Sequence, residues 1–204
     1  QKLSVPPRNK EWQQAYNLSF DIVQGLGSSY DAGRFVAPGF VVDTWKLWEW
    51  LITTGVRLGN ITRKVFPQNS ISFGYKETTA NRYTVNVFPD IEVMTEENQI
   101  LPLYLVDAKY KLLKNSSTGE IERDDLYEAF AFCCATDTKE IVLVYPMDTP
   151  TEIPGEVKKC STYYIKDVMV HVIQASFGSM REKGGIYTFA RNITSGIESV
   201  LLST

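Results

Sequence analysis

Two neighbouring stretches, Val87-Phe-Pro-Asp-Ile-Glu-Val93 and Leu105-Val-Asp-Ala-Lys-Tyr-Lys111, decide how this chain folds. Each is an apolar, β-branched run interrupted by charge, and the polar Thr95-Glu-Glu-Asn-Gln99 between them reads as a turn. The pattern predicts two strands, over residues 82–94 and 101–109, paired as an antiparallel hairpin. A strand alternates its side chains between faces, so Asp107 and Lys109 share one face and Ala108 takes the other. Asp90, just after Pro89, falls beside them across the hairpin.

Outward from this hairpin, the same reading organises the rest of the chain. Trp12, Tyr16, Phe20 and Val23 recur at helical spacing and predict an amphipathic helix over residues 8–25, followed by a Gly/Ser/Asp/Pro-rich loop over 25–39. A second helix is expected from an N-cap at Asp43, carrying Trp45, Leu47, Trp48, Leu51 and Ile52, and ending by Gly55. Its three tryptophans cannot all face one side. Downstream, Asp124 or Asp125 is expected to cap a helix to about residue 136, with Leu126, Ala129, Phe130 and Cys133 inward. Residues 139–145 form a continuous apolar run, as in a strand covered on both faces. Strands at 157–165 and 167–175 and a helix at about 186–203 complete the reading. The expected fold class is α/β, a mixed central sheet with helices on both faces. No repeat or linker divides the chain, so a single domain over residues 1–204 is expected, with its core at about 40–175.

Composition narrows the function. The 204 residues carry 21 Lys+Arg against 24 Asp+Glu, for a net charge of −3. That balance argues against a protein whose main task is to coat nucleic acid, but not against an enzyme acting on it. No run approaches the ~20 apolar residues that span a bilayer, so no membrane partner is expected. Three cysteines, two of them adjacent, make a poor disulfide framework and indicate a reducing, cytoplasmic setting. The single histidine, His171, sits in an alternating strand pattern and reads as a strand residue without a catalytic role. A Ser-His-Asp triad or a His-rich zinc site has little to rest on.

The chemistry therefore falls to the hairpin. Hard divalent cations such as Mg²⁺ take oxygen ligands, usually one or two carboxylates with water and phosphate oxygens. Asp90, Asp107 and the backbone carbonyl of Ala108 supply such a set, and Lys109 is placed to orient or help deprotonate a water. An exposed hairpin with an ordinary ion pair is the bland alternative. Against it, Asp107 and Lys109 follow the apolar run 101–106, where charge is costly unless paired or used.

Pro89-Asp90 followed by Asp107-Ala108-Lys109 resembles the PD-(D/E)xK, or restriction-endonuclease-like, nuclease superfamily. Asp-Ala-Lys-Tyr-Lys at 107–111, Asp-Leu-Tyr-Glu at 125–128 and Ile-Val-Leu-Val-Tyr-Pro at 141–146 narrow the resemblance to the McrC-type nuclease subunit of modified-cytosine-dependent restriction systems. The resemblance implies a restriction-endonuclease-like core and divalent-metal-dependent hydrolysis of DNA phosphodiester bonds in a prokaryotic defence system. Mg²⁺ is the implied cofactor, with Mn²⁺ substituting. It further implies that Asp90 and Asp107 bind the metal and that Lys109 serves the water.

In this superfamily the preceding helix often adds a glutamate, and Glu49 matches that place; a solvated helix charge is its alternative. The helix after the motif usually reads Tyr-Gln in McrC-like proteins, whereas this chain has Tyr127-Glu128, so Glu128 is an accessory candidate only. Glu92 shares the face of Asp90 on an ideal strand, and is either a substitute ligand or, preferably, a charge beyond the sheet edge. Tyr110, Lys111 and Lys114 are candidate DNA contacts or residues of a solvated loop. The implied partners are DNA and a nucleotide-hydrolysing AAA+ motor subunit, with a dimer expected for double-strand cleavage. McrC-like proteins carry a further N-terminal region. The chain is therefore expected to be part of a longer protein or a stand-alone relative. A catalytically silent nucleic-acid-binding or assembly module on the same fold is the rival function.

Overall fold

A computed structural model describes residue 13 and residues 43–95, 101–147 and 153–202. The expected helix over 8–25 and loop over 25–39 lie outside the described residues, apart from Gln13, which is helical. The chain divides into two compact units, residues 1–42 and 43–204. All the strands of the fold and the candidate site belong to the second unit.

Helix α1 (Thr44–Gly59) opens this unit. It is followed by β1 (Lys64–Pro67), β2 (Ile71–Glu77), β3 (Arg82–Val87), β4 (Ile91–Met94) and β5 (Tyr104–Ala108). Helix α2 (Arg123–Thr136), β6 (Glu140–Pro146), β7 (Val157–Ile165), β8 (Val168–Ala175), a short 3₁₀ turn and α3 (Gly185–Leu201) complete it. Six strands form one mixed sheet in the order β1-β4-β5-β6-β8-β7, and β2 pairs with β3 in a separate two-stranded sheet. The mixed α/β architecture expected from the sequence is present.

Alternation along the central strands sorts the core into two layers. Val142 and Val144 of β6, Val106 of β5 and Ile173 of β8 face α1 and α3, where they meet Ile52, Val56, Phe189, Ile193 and Ile197. Ile141, Leu143 and Tyr145, with Leu105, Val170 and Val172, face α2 and its Ala129, Phe132 and Cys133. β6 is parallel to both β5 and β8, and its Ile141 to Tyr145 are at most 1% exposed. A continuously apolar strand is what burial on both faces requires.

Several boundaries differ from the sequence-based expectation. The strand expected over 82–94 is two strands, broken at Phe88-Pro89-Asp90. Proline has no N–H to donate to a ladder, and the chain passes there from the small sheet into the large one. β4 and β5 do pair antiparallel, with Ile91 opposite Val106 and Glu92 opposite Leu105. β1 and β2 have no counterpart in the sequence-based reading; β1 lies outside β4 and takes the sheet edge.

Helix α1 runs to Gly59 rather than stopping at Gly55. Gly55 is instead a contact point, where an added Cβ would meet the Phe189 ring at 2.9 Å. Asp43 occupies the N-cap position without a capping bond and pairs with Lys46. Of the helix tryptophans only Trp48 is buried, and its indole N–H donates to the Val144 carbonyl at 3.2 Å. In α2 the N-cap is Glu122, and Phe132 rather than Phe130 is the fully buried aromatic.

Candidate active site

β5 ends its buried run on a charge. Leu105 and Asp107 point to the α2 side, while Val106 and Ala108 pack with the α1/α3 layer. Asp107 is only 4% exposed. Asp90 sits one step before β4, in line with Asp107 across the antiparallel pair. Its Oδ2 accepts from the Ala108 N–H at 2.8 Å, and the two carboxyl groups lie within hydrogen-bonding reach of each other. The Pro89 break thus turns Asp90 onto the end of the neighbouring strand.

Lys109 Nζ lies 2.5 Å from Asp107 Oδ2 and 2.5 Å from Glu128 Oε2 on α2. The sequence-predicted Asp90, Asp107, Lys109 and Glu128 are therefore brought together on one sheet face. Glu49 approaches from α1, near enough for its charge to act on Asp90.

Electrostatics at this cluster follow from burial. Burial pushes the Asp107 carboxyl up to about 7 against the pull of Lys109, and the nearby Asp90 adds to the rise. Asp90 is raised as well, by burial and by Glu49, with the Ala108 N–H opposing. Burial works against the charge on Lys109, but Asp107 and Glu128 outweigh it and raise its pKa above the ordinary lysine value.

Two facing carboxyls, both pushed toward protonation and offering only oxygen, have the donor chemistry that a hard divalent cation stabilises. The residues present therefore fit such an ion, held by Asp90, Asp107 and one backbone carbonyl. Among the described residues no group of three His, Cys, Asp or Glu converges, so protein carboxylates would fill only part of a coordination shell.

Other candidates have different surroundings. Glu92 is no charge beyond the sheet edge: it lies inside β4, 5% exposed, because β1 covers that side. Burial raises its pKa, opposed by a hydrogen bond with Asn69. Lys111 Nζ binds Asp125 Oδ1 at 2.8 Å, and Lys114 pairs with Glu120 at 3.1 Å; Tyr110 is half exposed. His171 is fully buried in β8, with Nδ1 3.1 Å from Thr162 Oγ1 and Nε2 3.3 Å from Glu140 Oε2.

Three further residues support the site. Gln68, at φ 47°, donates its side-chain amide to Glu49 and its backbone N–H to the Asp90 carbonyl at 2.9 Å. It links the helix glutamate to the loop that carries Asp90, and with β1 unrecognised no local pattern signals it. Asp125, expected as a helix cap, is 3% exposed; it accepts from the Tyr145 hydroxyl at 2.6 Å as well as from Lys111. The signal for this pair is a tyrosine closing an otherwise aliphatic strand, since a buried hydroxyl needs a partner.

No curated protein matches the chain. Among solved structures it is similar to a chain of the refined half-complex from the tetradecameric assembly of Thermococcus gammatolerans McrB AAA+ hexamers with bound McrC. The TM-score is 0.62 at 13% identity, over 98% of this chain and 41% of that one. At that identity the likeness is one of fold, and the present chain spans less than half the length of the chain it matches. A family model described as McrBC 5-methylcytosine restriction system component matches residues 1–146, from the first residue to the end of β6. The chain belongs to the McrBC 5-methylcytosine restriction system component family.

Proposed function

We propose that this chain carries a PD-(D/E)xK-type active site and hydrolyses DNA phosphodiester bonds with a divalent metal ion, as the cleavage part of a restriction system. The observation that carries this reading is the meeting of Asp90, Asp107 and Lys109 at the ends of β4 and β5, with both carboxyls raised. Mg²⁺ or Mn²⁺ held by Asp90, Asp107 and the Ala108 carbonyl would supply Lewis-acid activation of the phosphate and of a water. The Ala108 N–H fixes one Asp90 oxygen and leaves the other for a ligand. Lys109, kept protonated by Asp107 and Glu128, acts as a cation and hydrogen-bond donor toward charge developing on phosphate rather than as a base. Glu49 and Glu128 flank the pair as accessory carboxylates. Tyr110, Lys111 and Lys114, on the segment leaving β5, are the proposed backbone contacts, which set register without reading sequence.

The solved half-complex contains McrB AAA+ hexamers with bound McrC, which supports an AAA+ motor as partner here. A transient dimer follows from the need for two centres to cut two strands; light scattering with and without DNA tests it, and a monomer throughout contradicts it. Among the described residues no helix is long and apolar enough to cross a membrane.

A specific observation favours the rival, a silent module: Lys109 already satisfies the charge of Asp107, as a purely structural ion pair would. Cleavage of supercoiled plasmid with Mg²⁺ or Mn²⁺, by wild type and by Asp107→Ala and Lys109→Ala, decides between them. Nicking or linearisation lost in both variants supports the nuclease. Activity that survives both substitutions refutes the site, and a wild type that neither cuts nor binds divalent ions supports the silent module.

A further inference from the structure

Asp90 and Asp107 are not the end of the polar surface on this sheet face. The alternation that carries Asp90 toward the site also carries Glu92 and Met94 along β4, and Lys64 and Phe66 lie opposite them on β1. These four residues, with Asn69, line a pocket of about 200 Å³. Glu92 and Met94, 5% and 8% exposed, form its floor. Lys64, Phe66 and Asn69 are exposed and form its rim. Glu92 Oε1 is buried and has no hydrogen-bond partner, although Asn69 serves the same carboxyl group.

A buried carboxylate oxygen without a donor is costly, and native structures seldom leave one without a reason. A metal ion is a poor answer here, because the Lys64 ammonium sits on the same wall. An N–H donor is the better complement. The remaining lining narrows its chemistry: Phe66 offers a ring face, Met94 a thioether suited to contact with a ring edge, and Asn69 and Lys64 polar groups at the rim. The volume lies below the range of about 300–1,000 Å³ usual for drug-sized ligands, which limits the occupant to something near a single ring.

We propose that the pocket of Glu92, Asn69, Lys64, Phe66 and Met94 receives an unpaired amino-bearing pyrimidine base, which stacks on Phe66 and donates its exocyclic amine to Glu92. Acidic side chains accept from the cytosine amine in known base readout, and stacking on one aromatic ring holds a base taken out of its duplex. The inference builds on the nucleic-acid reading above. Its place two residues along β4 from Asp90 puts a held base next to the proposed cleavage centre.

The test is binding by the whole chain without metal, so that its outcome is separate from cleavage. Cytidine and uridine, which differ in an amine against a carbonyl at the same ring position, are titrated by NMR. Short single strands carrying one cytosine among thymines, alone and annealed, distinguish a free nucleoside from a base within DNA. Cytidine is expected to bind roughly ten-fold more tightly than uridine, and the single strand more tightly than the duplex. Glu92→Gln, whose amide can also donate, should shift the preference toward uridine; Phe66→Leu should weaken both ligands alike. Equal affinity for the two nucleosides, shifts confined to residues away from Glu92, or no binding overturns the proposal. Cytidine binding that persists while plasmid cleavage is absent would overturn the nuclease reading and leave this one standing.

Discussion

The two faces of the central sheet have been put to different uses, and β5 shows both within five residues. Toward α1 and α3 it presents Tyr104 and Val106, members of a layer that is almost wholly apolar. Toward α2 it presents Leu105 and then Asp107, a buried charge at the end of an apolar run. The first face gains free energy from burial. The second gives some back, since a desolvated carboxylate is held only by its neighbours. Carboxylates and ammoniums gather where the sheet face meets α2 because one layer carries stability and the other carries charge.

Substitution can break this contrast. Asp107→Asn keeps the shape of the side chain and removes a buried charge. It is expected to lower metal-dependent plasmid cleavage by roughly 10²–10³-fold, the scale of losing one preorganised electrostatic group. Its thermal midpoint should hold steady or rise. A large fall in that midpoint with cleavage intact would show that Asp107 is structural. On the opposite layer, Ile193→Ala in α3 empties a fully buried site and should cost about 2–5 kcal/mol in urea unfolding, with activity per folded molecule unchanged.

Smaller effects sharpen the comparison. Gly55→Ala would raise helix propensity in isolation, yet its Cβ would meet Phe189 at 2.9 Å. A net loss of about 1–3 kcal/mol is expected from overpacking, and a gain in stability would disprove the close approach of α1 and α3. Tyr145→Phe leaves the Asp125 carboxylate short of one buried donor; about 1–3 kcal/mol is expected. Its second effect should be on Lys111, visible as weaker, less salt-sensitive DNA binding.

The mildest effect concerns His171. Burial depresses its pKa below 6.5, against the pull of Glu140. The folded protein therefore holds fewer protons at this site than the unfolded chain, and stability is lost as pH falls from 6.5 toward the depressed value. His171→Gln should flatten that part of the stability profile, and an unchanged slope would assign it elsewhere.

The apolar layers were legible because alternation and helical spacing are local signals. β6, β8 and the inward face of α3, with Phe189, Ile193 and Ile197, follow directly from them. The β4–β5 pairing was legible for the same reason. β1 and β2 were not: their exposed, mixed patterns give no period, and their pairing depends on partners elsewhere in the chain. That omission also hid the burial of Glu92, since a strand is an edge only until another lies beside it. Asp90, Asp107 and Lys109 were legible as a spacing, and the structure brings them together with Glu128. The Asp125–Tyr145 bond was not, because it joins residues 20 apart through a contact that no local pattern encodes.

The break at Pro89 also bears on how this fold can change over time. Because no ladder crosses from the β2–β3 sheet into the central one, the hairpin is joined to Asp90 by chain alone. Its tip, closed where Thr78 N–H donates to the Asn81 carbonyl at 2.8 Å, can lengthen, shorten or be replaced while the strand that carries Asp90 keeps its register. The hairpin is thus an exchangeable tool on a fixed handle, open to variation beside a centre that tolerates very little.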